Sequence, residues 1–187
     1  MLDSRVEEID ALAMRLLLLR HAKAEKAEEG QSDRDRPLNT RGCKDAASIG
    51  AYMTHHGLQP DRALVSDSRR TRETWERLAT VLTASPPVSH DAALYHAAPE
   101  AILEVIRTGG RSARSLLVVG HNPGLHDAAR LLIASGDVTA RERLNEGLPT
   151  SGLLVIDFAG AAWKSLHPRS GRLERFITPR SLRAAAD

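Results

Sequence analysis

Leu116-Leu117-Val118-Val119-Gly120-His121-Asn122-Pro123 is an apolar run that stops at a histidine, and Leu16-Leu17-Leu18-Leu19-Arg20-His21 ends in the same way. Short apolar runs bounded by turn-forming residues suit strands buried on both faces, the kind that parallel sheets use. Between them, Ala63-Leu64-Val65-Ser66-Asp67-Ser68-Arg69-Arg70 reads as a third strand feeding a helix that begins around Thr71-Arg72-Glu73-Thr74-Trp75. In an open α/β sheet, ligands gather at the carboxyl ends of the strands. If these three strands lie parallel in one sheet, two histidines and several arginines meet in one crevice. That mixture suits a phosphoryl dianion, with guanidinium forks for its oxygens and an imidazole able to attack phosphorus.

Working outward, β-rich runs alternate with helical stretches, the signature of an α/β sheet. A polar loop over 22–37 leads to a helix over 40–56, with Thr40 read as its N-cap and Gly57 as its stop. A strand over 62–66 and a helix over 69–83 follow, then the Pro86-Pro87 break and a short strand over 88–90. A further helix starts near Pro99 and stops at Gly109-Gly110. Asn122-Pro123 is read as a cap residue followed by a first-turn proline, opening a helix that reaches about 135. Residues 136–150 read as a polar connection with one helical turn near 140–145. The tail reads as antiparallel strands over 153–158, 163–166 and 173–177. The expected architecture is a three-layer α/β/α domain over 14–187, with a mostly parallel central sheet and antiparallel C-terminal strands. Residues 1–13, with Val6, Ile9 and Leu12 on one side, read as a short helical extension.

Composition narrows the function classes. The chain has 187 residues, 42% apolar and 27% charged, and a net charge of +2, as expected of one soluble domain with its own core. A single cysteine, Cys43, excludes an internal disulfide and points to a reducing cytoplasm. Placed inside a helix, it reads as a small packing residue rather than a nucleophile. The apolar run over 16–19 is far too short to span a bilayer, and the acidic opening segment is wrong for a targeting peptide. The arginines are dispersed and aromatics make up only 3% of the chain, which argues against a nucleic-acid surface.

Four segments in order carry a resemblance. They are Leu16-Leu17-Leu18-Leu19-Arg20-His21-Ala22-Lys23-Ala24, then Arg36-Pro37-Leu38-Asn39-Thr40-Arg41-Gly42, then the run from Ser66 to Thr74, then Val118-Val119-Gly120-His121-Asn122-Pro123. This succession resembles the histidine phosphatase superfamily, and within it the small bacterial SixA-type phosphohistidine phosphatases. The resemblance implies that His21 is the phosphoryl-accepting nucleophile, with Arg20 beside it. The second arginine stands midway in the Ser66–Thr74 stretch, which makes it Arg70 rather than Arg69 or Arg72. The second histidine is His121. Arg20, Arg70 and His121 are then expected to bind the phosphoryl group, with Asn122 as a cap that also lines the pocket. The reaction implied is metal-independent, uses no cofactor, and passes through a covalent phosphohistidine.

One departure bears on substrate. Other branches of the superfamily carry a carboxylic acid downstream of the second arginine to protonate an alkoxide leaving group. The comparable stretch here is Ala93-Leu94-Tyr95-His96-Ala97-Ala98, with no carboxylate. An imidazole leaves more easily than an alkoxide, so the expected substrate is phosphohistidine in a signalling or phosphotransfer protein, with no nucleic-acid or membrane partner. His96, or a glutamate from the 22–37 loop, is the candidate acid for the alternative, a phosphomonoesterase acting on a small metabolite. A non-catalytic phosphate-binding module is a third reading, disfavoured because a binder has no need of His21.

Overall fold

The computed structural model describes residues 13–160 and 162–185. Seven strands form one sheet: β1 (Ala13–Arg20), β2 (Arg62–Ser66), β3 (Val88–Asp91), β4 (Ser115–Gly120), β5 (Ile133–Gly136), β6 (Leu153–Ala159) and β7 (Gly171–Ile177), in the spatial order β3-β2-β4-β1-β6-β7-β5. The first four run parallel to one another, β6 is antiparallel to both of its neighbours, and β5 pairs parallel with β7. The fold class is therefore the expected α/β arrangement. Among the described residues six helices accompany the sheet: α1 (Thr40–His55), α2 (Arg69–Ala79), α3 (Pro99–Gly109), α4 (Gly124–Leu132), α5 (Val138–Glu146) and α6 (Pro179–Ala184). Among the described residues no helix is long and apolar enough to cross a membrane.

The apolar runs are unbroken because both sheet faces are covered. Leu16 and Leu18 belong to one core cluster together with Ile102, Ile106 and Leu125, from α3 and α4. Leu17 and Leu19 belong to the other, with Ile49, Met53, Trp75 and Leu78 from α1 and α2. The period-two alternation of a strand thus feeds two layers at once. Each such side chain contributes about 1.5–3 kcal/mol by leaving water.

Register places the chemistry. Arg20 pairs with Gly120 across β1 and β4, and Val65 pairs with Val119 across β2 and β4. The residues that follow, His21, His121 and Ser66, therefore emerge side by side at one end of the sheet. The loop after β1 is pressed onto α1, where a Cβ at Gly42 would overlap the Lys23 carbonyl oxygen. Gly42→Ala is expected to cost about 1–3 kcal/mol, as overpacking against backbone does. A thermal melt would register this as a drop of several degrees, and an unchanged melt would contradict the packing.

Several sequence expectations need correction. Asn39, not Thr40, caps α1, its side chain accepting from the Gly42 amide. Helix α2 ends at Ala79, short of 83. Asn122 caps nothing: α4 begins at Gly124 with no side-chain cap, and the Asn122–Pro123 bond is cis. The helix expected to reach 135 stops at Leu132, because Ile133 leaves it to pair with Gly171 at the sheet edge. The segment 163–166 is a turn of 3-10 helix rather than a strand. Trp163 dictates this, being buried on Gly110 with its indole N–H donating to the Ala113 carbonyl at 2.7 Å. Helix α6 was not anticipated. It begins in a capping box built by Thr178 and Ser181. Strand β1 starts at Ala13, the last residue of the segment read as an extension. The helix expected there otherwise falls outside the described residues.

Candidate active site

His21 follows β1 directly. Its amide donates to the Gly120 carbonyl at 3.1 Å, and the Ser151 amide donates to the carbonyls of Arg20 and His21. The backbone bearing the imidazole is therefore held from both sides. The ring is held as well, since Nδ1 lies 2.8 Å from the Ala22 carbonyl oxygen. A carbonyl only accepts, so the proton sits on Nδ1 and the lone pair is on Nε2. The Ala22 amide donates to Thr74 Oγ1, and the Thr74 hydroxyl donates to the Arg70 carbonyl at 2.6 Å. Thr74 thereby ties the first turn of α2 to the loop after His21.

Arg70 is buried, 2% exposed, in that first turn. Its Nη2 reaches His121 Nδ1 at 3.3 Å and His96 Nε2 at 3.2 Å. The His121 ring is also 2% exposed, with Nε2 2.8 Å from Ser66 Oγ. Because a guanidinium only donates, His121 accepts at Nδ1 here and donates from Nε2 to the serine. The serine hydroxyl can serve either tautomer. The rings of His21 and His121 are 5.2 Å apart. Arg20 donates from Nη1 to the Leu148 carbonyl at 2.9 Å, while its buried Nε has no partner. Asn122 sends its amide N–H to the same carbonyl at 2.8 Å, so that donor is spent on the 147–150 loop.

All four expected catalytic residues, Arg20, His21, Arg70 and His121, thus gather at the carboxyl ends of three parallel strands. Asp33, Arg34 and Tyr95, which sequence reasoning did not place, gather there too, together with His96, raised above as a candidate acid. Asp33, in the loop after β1, accepts at Oδ2 from Arg70 Nη2 at 3.0 Å and from the Tyr95 hydroxyl at 2.7 Å. Its Oδ1 accepts from Arg36 at 2.8 Å, and its backbone carbonyl accepts from Arg70 Nη1 at 2.6 Å. A carboxylate, absent from 93–98, thus reaches Arg70 from another segment. Arg34 covers the Tyr95 ring at 4.3 Å and pairs with Asp67. His96 stacks on Tyr95 with centroids 4.3 Å apart and an interplanar angle of 12°. His96 holds a left-handed backbone, φ 49°, which costs a non-glycine residue about 1–2 kcal/mol. Beside the pocket, Arg20 and Asn122 also line a cleft of about 750 Å³ in which Arg143, Arg180 and Arg183 outnumber Glu146 and Asp45. His55, His56, His90 and His167 lie outside this assembly, and His126 is turned to the Leu144 carbonyl. Among the described residues no group of histidine, cysteine and acidic side chains has the arrangement to hold a metal ion.

Burial, reinforced by the charges of Arg70, Arg20 and Arg36, pushes the His21 imidazole down to about 3. Burial does the same to His121, with His21 and Arg70 adding to it, and takes it to about 2. The hydrogen bonds from Tyr95 and Arg36, with Arg70, hold the Asp33 carboxyl below the usual carboxylate range. Arg20 is lowered by burial and by Arg70. Two imidazoles that stay neutral when folded, but take up protons near pH 6.5 when unfolded, give a defined pH response. Their contribution to stability is complete above pH 6.5 and falls as the pH drops toward 3. The slope is about 1.4 kcal/mol per pH unit for each proton. Urea melts between pH 7 and 4 are expected to show this loss. His21→Ala should remove one proton's share, and an unchanged slope in that variant would refute the neutral imidazole.

A model of the histidine phosphatase superfamily (branch 1) matches residues 16–96. The chain is 34% identical over 164 residues to the uncharacterized protein Rv1276c of Mycobacterium tuberculosis, covering 87% of this chain and 100% of that one. Among solved structures it is similar to one from Agrobacterium tumefaciens that carries the provisional name phosphohistidine phosphatase SixA. The TM-score is 0.76 at 30% identity, covering 89% of this chain and 98% of the other. A structure from Nakamurella multipartitia with the same provisional name gives a TM-score of 0.77 at 26% identity, covering 89% and 96%.

Proposed function

From the premise that this chain belongs to the histidine phosphatase superfamily, in its SixA-type branch, we propose that it removes phosphoryl groups from phosphohistidine through a covalent intermediate on His21. The observation that carries this reading is the pinned imidazole. Nδ1–H is fixed on the Ala22 carbonyl, and Nε2 is an unprotonated lone pair beside Arg70 and His121. In the first step His21 Nε2 attacks phosphorus, and the bond to the substrate nitrogen breaks with its electron pair going to that nitrogen. Arg20 and Arg70 hold the non-bridging oxygens and balance their charge as it shifts. Once the phosphoryl group takes up Arg70, the Ser66 hydroxyl can donate to His121 Nε2. This leaves His121 Nδ1–H to face a phosphoryl oxygen. In the second step water attacks the phosphorus on His21, the bond to Nε2 breaks with its electron pair returning to that nitrogen, and inorganic phosphate departs with the water oxygen and its protons.

A phosphohistidine substrate is favoured by the state of the carboxylate that meets Arg70. Asp33 is held ionised by its three donors, which suits it poorly to protonating an alkoxide. The open cleft beside Arg20 leaves room for the chain bearing the phosphohistidine. The test compares phosphate release from a phosphohistidine-bearing protein and from p-nitrophenyl phosphate, with a chelator present. A preference for the first, lost in His21→Ala, is the expected outcome. Equal or faster turnover of the ester would move the protein to the phosphomonoesterase reading.

A further inference from the structure

Asp33 places a carboxylate on the arginine that a phosphoryl group would need. Arg70 directs Nη1 to its backbone carbonyl and Nη2 to its carboxylate, so both terminal nitrogens of the second arginine face Asp33. A phosphoryl group must compete with Asp33 for Arg70 and then lie next to a negative charge. The loop keeps that charge in place even so. Arg36 and Tyr95 hold the two carboxylate oxygens, Arg34 braces Tyr95 from above, and Ser32 caps the short turn Asp33–Asp35 that presents the group. A side chain fixed against a phosphoryl site in this way penalises every anionic ligand that brings no compensating positive charge.

Phosphohistidine brings one. Its ring, bonded to phosphorus at one nitrogen, carries a proton on the other in its reactive form and is then cationic. Asp33 is 42% exposed at the side chain and touches both members of the stacked Tyr95–His96 pair, accepting from the Tyr95 hydroxyl and lying 3.6 Å from His96 Nε2. We propose that Asp33 is the residue that selects a phosphoryl group carried on imidazole. In this role its carboxylate accepts the ring N–H of the substrate, while the ring lies against the Tyr95–His96 shelf. The carboxylate favours the protonated ring, as an opposite charge does for any cation. When His21 attacks, the phosphorus–nitrogen bond breaks and its electron pair returns to the ring nitrogen. The ring keeps its other proton and leaves as neutral imidazole, so no acid is needed. A phosphomonoester offers Asp33 only repulsion. This inference rests on the phosphohistidine reading above and assigns the source of the preference.

The experiment measures kcat/KM for a phosphohistidine peptide and for p-nitrophenyl phosphate, with inhibition by inorganic phosphate, in wild type, Asp33→Asn and Asp33→Ala. The expected result is opposite movement. Turnover of the phosphohistidine peptide falls on the order of tenfold or more, the loss typical of one charge-assisted hydrogen bond. Turnover of the ester holds or rises, and phosphate inhibits at lower concentration. Retained ester turnover also shows that the variants are folded. A parallel fall for both substrates would overturn the proposal, since a structural or general catalytic role predicts it. A parallel rise would do so too, because it makes Asp33 a mere competitor for Arg70. If wild type itself fails to turn over phosphohistidine, the functional reading falls first and this inference falls with it. If wild type is active and the ratio is unmoved in both variants, only this inference is lost.

Discussion

His21→Ala is expected to lower turnover by ~10⁴-fold or more, the scale seen when a nucleophile that acts with its partners is removed. The fold should survive. The imidazole belongs to neither of the two large core clusters, and its one side-chain hydrogen bond is to the neighbouring Ala22 carbonyl. Its backbone contacts, from Ser151 and to Gly120, do not depend on the side chain. Three measurements belong together: steady-state phosphate release, the far-ultraviolet circular dichroism spectrum, and mass spectrometry of acid-labile phosphate on the quenched enzyme. Wild type should show a phosphorylated peptide containing His21, and the variant should show none. A variant that keeps more than a few per cent of the activity would mean that another group takes the phosphoryl.

Arg70→Ala comes next, with an expected loss of 10²–10³ in kcat/KM, or about 3–4 kcal/mol of transition-state stabilisation. Lysine should not rescue it. The geometry demands a fork, because Nη1 serves the Asp33 backbone carbonyl while Nη2 meets the Asp33 carboxylate, His96 and His121. A single ammonium on a flexible stem cannot span those directions. Asp33 keeps Arg36 and Tyr95 when the guanidinium is gone, and Thr74 donates to the backbone of residue 70, so the pocket wall should persist. Kinetics of Arg70→Ala and Arg70→Lys side by side check this. Lysine activity within threefold of wild type would show that position 70 supplies charge alone.

The strand ends were legible in the sequence for a simple physical reason. A parallel strand covered on both faces must be apolar throughout, and it must stop where the ligand end begins. The runs ending at His21 and His121 announce both facts, and register does the rest. Arg70 was legible only through the resemblance, which picks out the arginine midway between Ser66 and Thr74. Those two residues appeared only as landmarks, yet one hydrogen-bonds His121 and the other couples α2 to the His21 loop. Asp33 was not legible as an individual. It sits in a stretch with no periodicity, among many charged residues, and its partners Arg70 and Tyr95 lie far along the chain. Nothing local distinguishes it from a solvated loop acid. The misread tail has the same origin. Trp163 looked like a strand residue by type, but an indole that can bury itself and reach the Ala113 carbonyl decides its own backbone. The Ile133–Gly136 edge strand follows from a partner in β7 rather than from its own sequence.

The strand that bears His21 lies between β4 and β6, and its partners run from Ser115 to Gly120 on one side and from Leu153 to Ala159 on the other. Neither neighbour is close to it in sequence. During synthesis, the first strand must therefore wait for most of the polypeptide before its backbone hydrogen bonds can close. Pairings of such long range make folding slow, because the entropy of closing large loops is lost before any contact repays it. His21, made before either of those neighbours, meets Arg70 and His121 only when the central sheet assembles. Phosphatase activity in a refolding experiment should thus rise with the last kinetic phase rather than with the early helical signal, making catalysis itself a reporter of the completed chain topology.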